Sequence, residues 1–439
     1  MAAERKTLTQ LSVPICLETL FYMLSGMVDT LMLSSVSDQA VGAVGTANTY
    51  IGVFIIMFGV ISSGMVAVMS QNIGAGRPGI AYQARQLGLV FNALTGILMS
   101  VVLAVFSGGI LRAVSIAPAL LESAETYLKI VGGASFLNAL IPIFSSYLRV
   151  FGYTKHSLIG TVVGNVINII LNSVFLFVFH WGVMGVATAT VISKVVNLII
   201  VAAMGAVLIK AKQSPERAQP RRILAQIVKI GFPSAFETAL YNVAMTFIVC
   251  FMNHMDTDGM NVTARSYAMQ IANFSYCVGA ALAQANAIMT GWRIGAKKYE
   301  ECDRGTRKAV IYGLVTATCF SVTFAITGRF IVHIFTDDTQ MIELVVKLLI
   351  VDIFLEFGRV TNLVYGQALK TSGDAIFPVI MGAIFMYLFA VGGTYFLGIH
   401  MGLLAVGAYI AMAGDECARA VGMVLRWKSG KWKSKSLVE

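Results

Sequence analysis

Long apolar runs, each about the 20 residues a membrane-spanning helix needs, follow one another along almost the whole chain. They predict helices at about 11–33, 43–70, 87–110, 126–148, 157–179 and 183–208, and again at 225–252, 264–290, 308–334, 342–368, 374–397 and 402–425. The expectation is an all-α integral membrane protein with twelve spanning helices. The first run is not uniformly apolar. Glu18 and Asp29 lie eleven positions apart, which at about 100° per residue places them within roughly 20° of each other, on a stripe with Tyr22 and Ser25. Carboxylates at membrane depth are costly and face a bundle interior or a water-filled cavity, so the stripe marks a transport site.

Composition agrees with the pattern: 57% of the 439 residues are hydrophobic, 12% are charged, and mean hydropathy is +0.78. The first ten residues, MAAERKTLTQ, do not resemble a cleavable leader, and the first helix is expected to remain in place. The net charge of +10 does not imply nucleic acid, because the basic residues gather at helix ends. Alternate connections carry 23 Lys and Arg on one side against Arg112 and Arg265 on the other. This imbalance predicts both termini and the central linker in the cytoplasm. The six cysteines show no ligand spacing and read as small hydrophobes.

KAKQSPERAQPRR is the one long polar break, and the halves beside it echo each other. Pro14-x3-Glu18-Thr19 recurs at Pro233, Glu237 and Thr238; Ile73-Gly74-Ala75 recurs at Ile294-Gly295-Ala296; His180-x-Gly182 recurs at His400-x-Gly402. The predicted divisions are 1–209 as a first lobe, 210–224 as linker, 225–425 as a second lobe and 426–439 as a basic tail. Six helices per lobe is an even number, which implies two bundles related by a pseudo-two-fold axis along the membrane normal. The tail RWKSGKWKSK, basic residues interleaved with tryptophan, reads as lying on the anionic inner leaflet.

No GxxxxGK[ST] loop occurs, and no segment is long enough for a nucleotide-binding domain, which argues against an ATP-driven pump or an enzyme and for secondary transport. Helix five offers Asn165, Asn168 and Asn172 on one face, either cation ligands or interhelical ties. Lys194 in helix six either pairs with Asp29 or snorkels along its own helix. In the second half Ile248 stands where Asp29 would recur, while Asp352, Glu356 and Arg359 share a face of helix ten. With Glu237 they form a cation or substrate site, unless Glu356 and Arg359 are a plain salt bridge. Asp415 and Arg419 read as a structural pair. Tyr50, Phe54, Tyr241, Phe274, Tyr276 and Tyr387 can offer π faces to flat cations or simply fill the core.

The Pro14–Asp29 helix, QNIGAGR after helix two, NVINIILN and GVMGVATATVIS across helices five and six, the second PxxxE, GDECAR in helix twelve and the closing SGKW together resemble the multidrug and toxic compound extrusion (MATE) family. The resemblance spans essentially the whole chain. It implies a twelve-helix antiporter that exports cationic amphiphiles in exchange for H⁺ or Na⁺, acting as a monomer in the inner or plasma membrane, without a cofactor or nucleic-acid partner. It also implies that Asp29, with Glu18 and the asparagine face, binds the coupling ion, with Na⁺ possible at Asp29 or at Glu237 and Asp352. Asn172 stands where many bacterial members have an aspartate, so a two-aspartate site does not carry over. A lipid-linked saccharide flippase of similar architecture is the alternative function.

Overall fold

The computed structural model describes residues 6–113, 116–210, 214–255 and 258–438. Arg5 and Lys212, which contribute to the predicted charge asymmetry, lie outside the described residues. Among the described residues thirteen α-helices make twelve spans. In the first half these are α1 (Leu8–Ser34), α2 (Asp38–Gly74), α3 (Pro78–Ala113), α4 (Pro118–Gly132) with α5 (Ser135–Val150), α6 (Thr154–Val178) and α7 (Gly182–Leu208). The second half has α8 (Pro220–Asn253), α9 (Met260–Gly295), α10 (Tyr299–His333), α11 (Thr339–Ser372), α12 (Ile376–His400) and α13 (Leu404–Lys428). The fourth predicted span is thus two helices, α4 and α5, bent by 41° where a π-helical turn at Leu128–Gly132 meets Gly133. Further π turns close α6 at Val174–Val178 and fill most of α12.

Among the described residues eight helices are long and apolar enough to cross a membrane by composition, nine with the bent pair. The three that fail are α9, α11 and α13, and their polar residues explain why. Asp352, Glu356, Asp415, Glu416, Arg419, Arg265, Asn261 and Asn286 are all buried. Charges that would be intolerable against lipid are turned inward, most of them into ion pairs. Large apolar side chains cover the outside instead, Ile326 and Phe330 each more than three-quarters exposed.

The chain divides into two compact units, Met1–Gly231 and Phe232–Glu439, with the boundary inside α8 and two residues before Pro233. In the first unit α1 packs on α6, α2 on α3 and α4, α3 on α5, and α6 on α7. The end of the linker is fastened to α3, Gln83 exchanging two hydrogen bonds with the backbone of Ala218 (2.8 and 3.1 Å). In the second unit α11 is central and packs on α9, α10 and α13.

The internal repeat extends to backbone conformation. Gly76 ends α2 with φ +75°, and Lys297 ends α9 with φ +59°; in both turns the next amide reaches five residues back, Arg77 to Asn72 and Lys298 to Arg293, each at 2.8 Å. Gly152 and Gly373 close α5 and α11 with φ +85° and +100°, and Gly182 and Gly402 recur likewise in the left-handed region. The shared turns explain why these short motifs echo: each of these connections between helices passes through the left-handed region, which glycine enters most readily.

The tail does not extend away as a free basic strip. Trp427 and Trp432 are buried and stacked, centroids 4.2 Å apart and planes 11° from parallel. The Trp427 indole donates to Asp303 (2.8 Å) and that of Trp432 to the Trp427 carbonyl (2.9 Å). Buried indole N–H groups need acceptors, and Asp303 at the start of α10 supplies one that a leaflet surface cannot position. The expectation of a leaflet-bound tail is corrected accordingly for the tryptophans, while Lys431, Lys433 and Lys435 remain exposed.

Candidate functional site

In the first unit α1 and α6 bring Asp29 to the asparagine ladder. Asn172 Nδ2 donates to Asp29 Oδ1 at 2.6 Å and also lies 3.3 Å from Asn168 Oδ1, so the carboxylate, Asn172 and Asn168 form one chain of polar contacts. Asn168 and Asn172 are buried and Asp29 is half-buried. Asn165, one turn away, instead donates to the Phe21 carbonyl (2.8 Å), tying the same two helices together. Lys194 on α7 donates to Asn138 on α5 (3.0 Å). It is near enough to Asp29 to act on it electrostatically but makes no ion pair with it among the described residues.

Glu18 lies elsewhere. Its Oε1 accepts from Arg149 at 2.7 Å, from Ser157 at 3.0 Å and from Thr161 at 3.4 Å, leaving Oε2 buried without a partner. The second unit repeats the pair: Lys370 Nζ stands 2.6 Å from Glu237 Oε2. Arg149 and Lys370 are equivalent by the repeat, as are Glu18 and Glu237, so each unit locks its first helix to its fourth span by the same charge pair. Nothing in the two glutamates' own sequence neighbourhoods reveals these partners, which are 131 and 133 residues away.

Six charged side chains of the second unit converge on a cavity of about 470 Å³. Glu237 and Tyr241 of α8, Tyr276 of α9, Asp352, Arg359 and Lys370 of α11, and Glu416 and Arg419 of α13 line it. Glu356 lies fully buried behind Arg359 and in contact with it. Arg359 reaches Glu416 at 4.0 Å and lies over the Tyr276 ring, 5.8 Å from its centroid. Arg419 holds Asp415 through two hydrogen bonds (2.6 and 2.9 Å) and Glu416 at 2.9 Å, and Asn362 donates to Glu416 at 3.0 Å. Asp352 alone among these carboxylates has no ion-pair partner among the described residues.

The structure therefore unites Glu237, Tyr241, Asp352 and Arg359 around one space and adds Glu416, which sequence reading passed over although it stands in the GDECAR motif three residues before Arg419. Of the six aromatics considered for a cavity, Tyr241 and Tyr276 line this one. Tyr387 instead donates to the Leu240 carbonyl (3.2 Å), and Tyr50 and Phe54 pack against the core of the first unit. None of the six cysteines is in a disulfide. Among the described residues no three His, Cys, Asp or Glu side chains are grouped to hold a metal ion. A monovalent ion at Asp29, or at Glu237 and Asp352, would draw on amide, hydroxyl and carboxylate oxygens.

Comparison with known proteins follows the same division. The MatE family profile matches residues 14–174 and 233–396, stretches that open on Pro14 and Pro233. The chain is 32% identical over 437 residues to the uncharacterized transporter YisQ of Bacillus subtilis (strain 168), covering 98% of this chain and 96% of YisQ. It is 26% identical to the probable multidrug resistance protein NorM of Thermotoga maritima, covering 99% and 94%. Among solved structures, an outward-facing multidrug resistance MATE transporter matches with a TM-score of 0.87 at 18% identity, over 97% of this chain and 96% of that one. A MATE structure in a straight conformation matches with a TM-score of 0.88 at 19% identity, over the same shares. The chain belongs to the MatE family of multi-pass membrane transporters.

Proposed function

We propose that the protein is a secondary antiporter that exports small cationic amphiphiles by alternating access, in exchange for H⁺ or Na⁺. The observation that carries this reading is the cavity of the second unit, large enough for a drug-sized molecule and lined by aromatic rings and three carboxylates, of which Asp352 alone has no ion-pair partner among the described residues. A cation entering a low-dielectric site needs a fixed countercharge, and Asp352 supplies one. Relatives named as probable multidrug resistance proteins support the class of cargo. In the same reading Asp29, backed by Asn172 and Asn168, takes the coupling ion, and Glu18 and Glu237 hold helices. On this reading the protein lies in the inner or plasma membrane, and the cytoplasmic placement of its termini rests on the basic residues crowding one set of connections.

The test is transport in proteoliposomes. With the purified chain, a pH or sodium gradient imposed across the membrane drives ethidium-like dye movement, and Asp29→Asn abolishes it while the protein stays monodisperse and binds dye. Full gradient-driven transport by Asp29→Asn overturns the coupling role. Dye that fails to move under either gradient overturns antiport.

A further inference from the structure

The cavity of the second unit is lined by three carboxylates and three bases, with Glu356 and Asp415 behind them, and its bases are unequally committed. Lys370 is held by Glu237, and Arg419 by Asp415 and Glu416. What remains is Asp352, Glu356, part of Glu416 and the single guanidinium of Arg359. Arg359 sits in contact with a carboxylate, Glu356, and over an aromatic face, Tyr276, while reaching toward Glu416. Carboxylate plus π face is the chemistry that recognises an organic ammonium ion. Arg359 is thus placed as such a ligand would be, only tethered. Asp352, one helical turn before Glu356 on the same face of α11, borders the same space within electrostatic reach of Arg359 but in no ion pair among the described residues.

We propose that this cavity holds two cation subsites, one permanently filled by Arg359 and one left open at Asp352, so that Arg359 restricts the cargo to a single positive charge. The inference rests on the second unit's cavity being the cargo site. Neutralising Arg359 would open the second subsite about 6 Å from the first, one turn of helix, and admit a dication of that spacing. The carboxylates at Glu237 and Asp415 do not compete for it, each being engaged by its own base.

The test is calorimetric binding to the full-length protein in detergent, using butyltrimethylammonium and butane-1,4-bis(trimethylammonium) as matched probes. The wild type binds the monocation at least as well as the dication. Arg359→Gln raises the dication-to-monocation affinity ratio tenfold or more, and Arg359→Lys, which keeps a tethered charge, leaves it near the wild-type value. An unchanged ratio in folded Arg359→Gln overturns the proposal. Should that variant fail to fold, Glu356→Gln decides: freed of its partner, Arg359 turns to Asp352 and monocation affinity falls several-fold, whereas unchanged affinity overturns the proposal. Asp352→Asn separates the two layers. Undiminished monocation binding by Asp352→Asn overturns the cargo-site assignment and this inference together; loss of binding there with an unchanged ratio in Arg359→Gln overturns this inference alone.

Discussion

Lys297 adopts a backbone conformation in which glycine is at home. Its equivalent in the first repeat is Gly76, with the same left-handed φ and the same five-residue return hydrogen bond, but Lys297 carries a Cβ against the preceding turn. That conformation costs a side-chain-bearing residue about 1 kcal/mol or somewhat more. Lys297→Gly is expected to stabilise the protein by about 1 kcal/mol, seen as a raised midpoint in denaturant unfolding in mild detergent, and a lowered midpoint would show that the lysine makes a compensating contact. The same scale explains what sequence reading could and could not find. Asp29 and Asn172 were visible because each belongs to a polar stripe with helical spacing. Glu416 was not, because in α13 three charged residues within five positions offered Asp415 and Arg419 as a self-sufficient pair, and only the cavity reveals that Arg419 serves both acids.

At the scale of helices, the least apolar spans carry the chemistry. α9, α11 and α13 fall short of a simple hydropathy test because of the polar groups they turn inward, and two of them, α11 and α13, contribute most of the ionisable cavity wall. Their existence was still legible, since length and flanking turns mark them as spans. The α4–α5 break was not, because the apolar run continues on both sides of it and the adjacent Gly132 and Gly133, where helices can kink, are a weak signal by themselves. Between α1 and α5 the Glu18–Arg149 contact replaces water with protein on a nearly buried carboxylate. Removing one member of such a pair leaves the other charge uncompensated, at a cost of about 3–5 kcal/mol. Glu18→Ala is expected to lower stability on that scale by chemical denaturation, and a change below about 1 kcal/mol would mean the pair is solvated in solution.

Across the whole molecule, duplication has preserved scaffolding and released function. Glu18–Arg149 and Glu237–Lys370 are the same device in two units, as are the three pairs of left-handed turns. By contrast Asp29 has Ile248 as its counterpart, and Asn138, the acceptor for Lys194, has Arg359. The basic group near the carboxylates thus comes from the last helix in one unit and from the fourth span in the other. The two glutamate locks share no partner, so Glu18→Ala and Glu237→Ala are expected to be additive within about 0.5 kcal/mol in the double variant. A larger deviation, measured by the same unfolding assay, would show the locks to be energetically linked. The twelve spans and the repeat could be read from the chain itself, whereas the locks could not, because Arg149 and Lys370 resemble the other loop cations that set orientation.

The stacked indoles at the end of α13 give the protein an optical signature. Four tryptophans are present, and two of them, Trp427 and Trp432, lie face to face at 4.2 Å, close enough for their transitions to couple. The near-ultraviolet circular dichroism spectrum is expected to carry a contribution that Trp432→Phe removes and that Trp181→Phe does not. Loss of that band on adding a ligand or changing conditions would then report undocking of the last nine residues from α10 and α13, without any attached label.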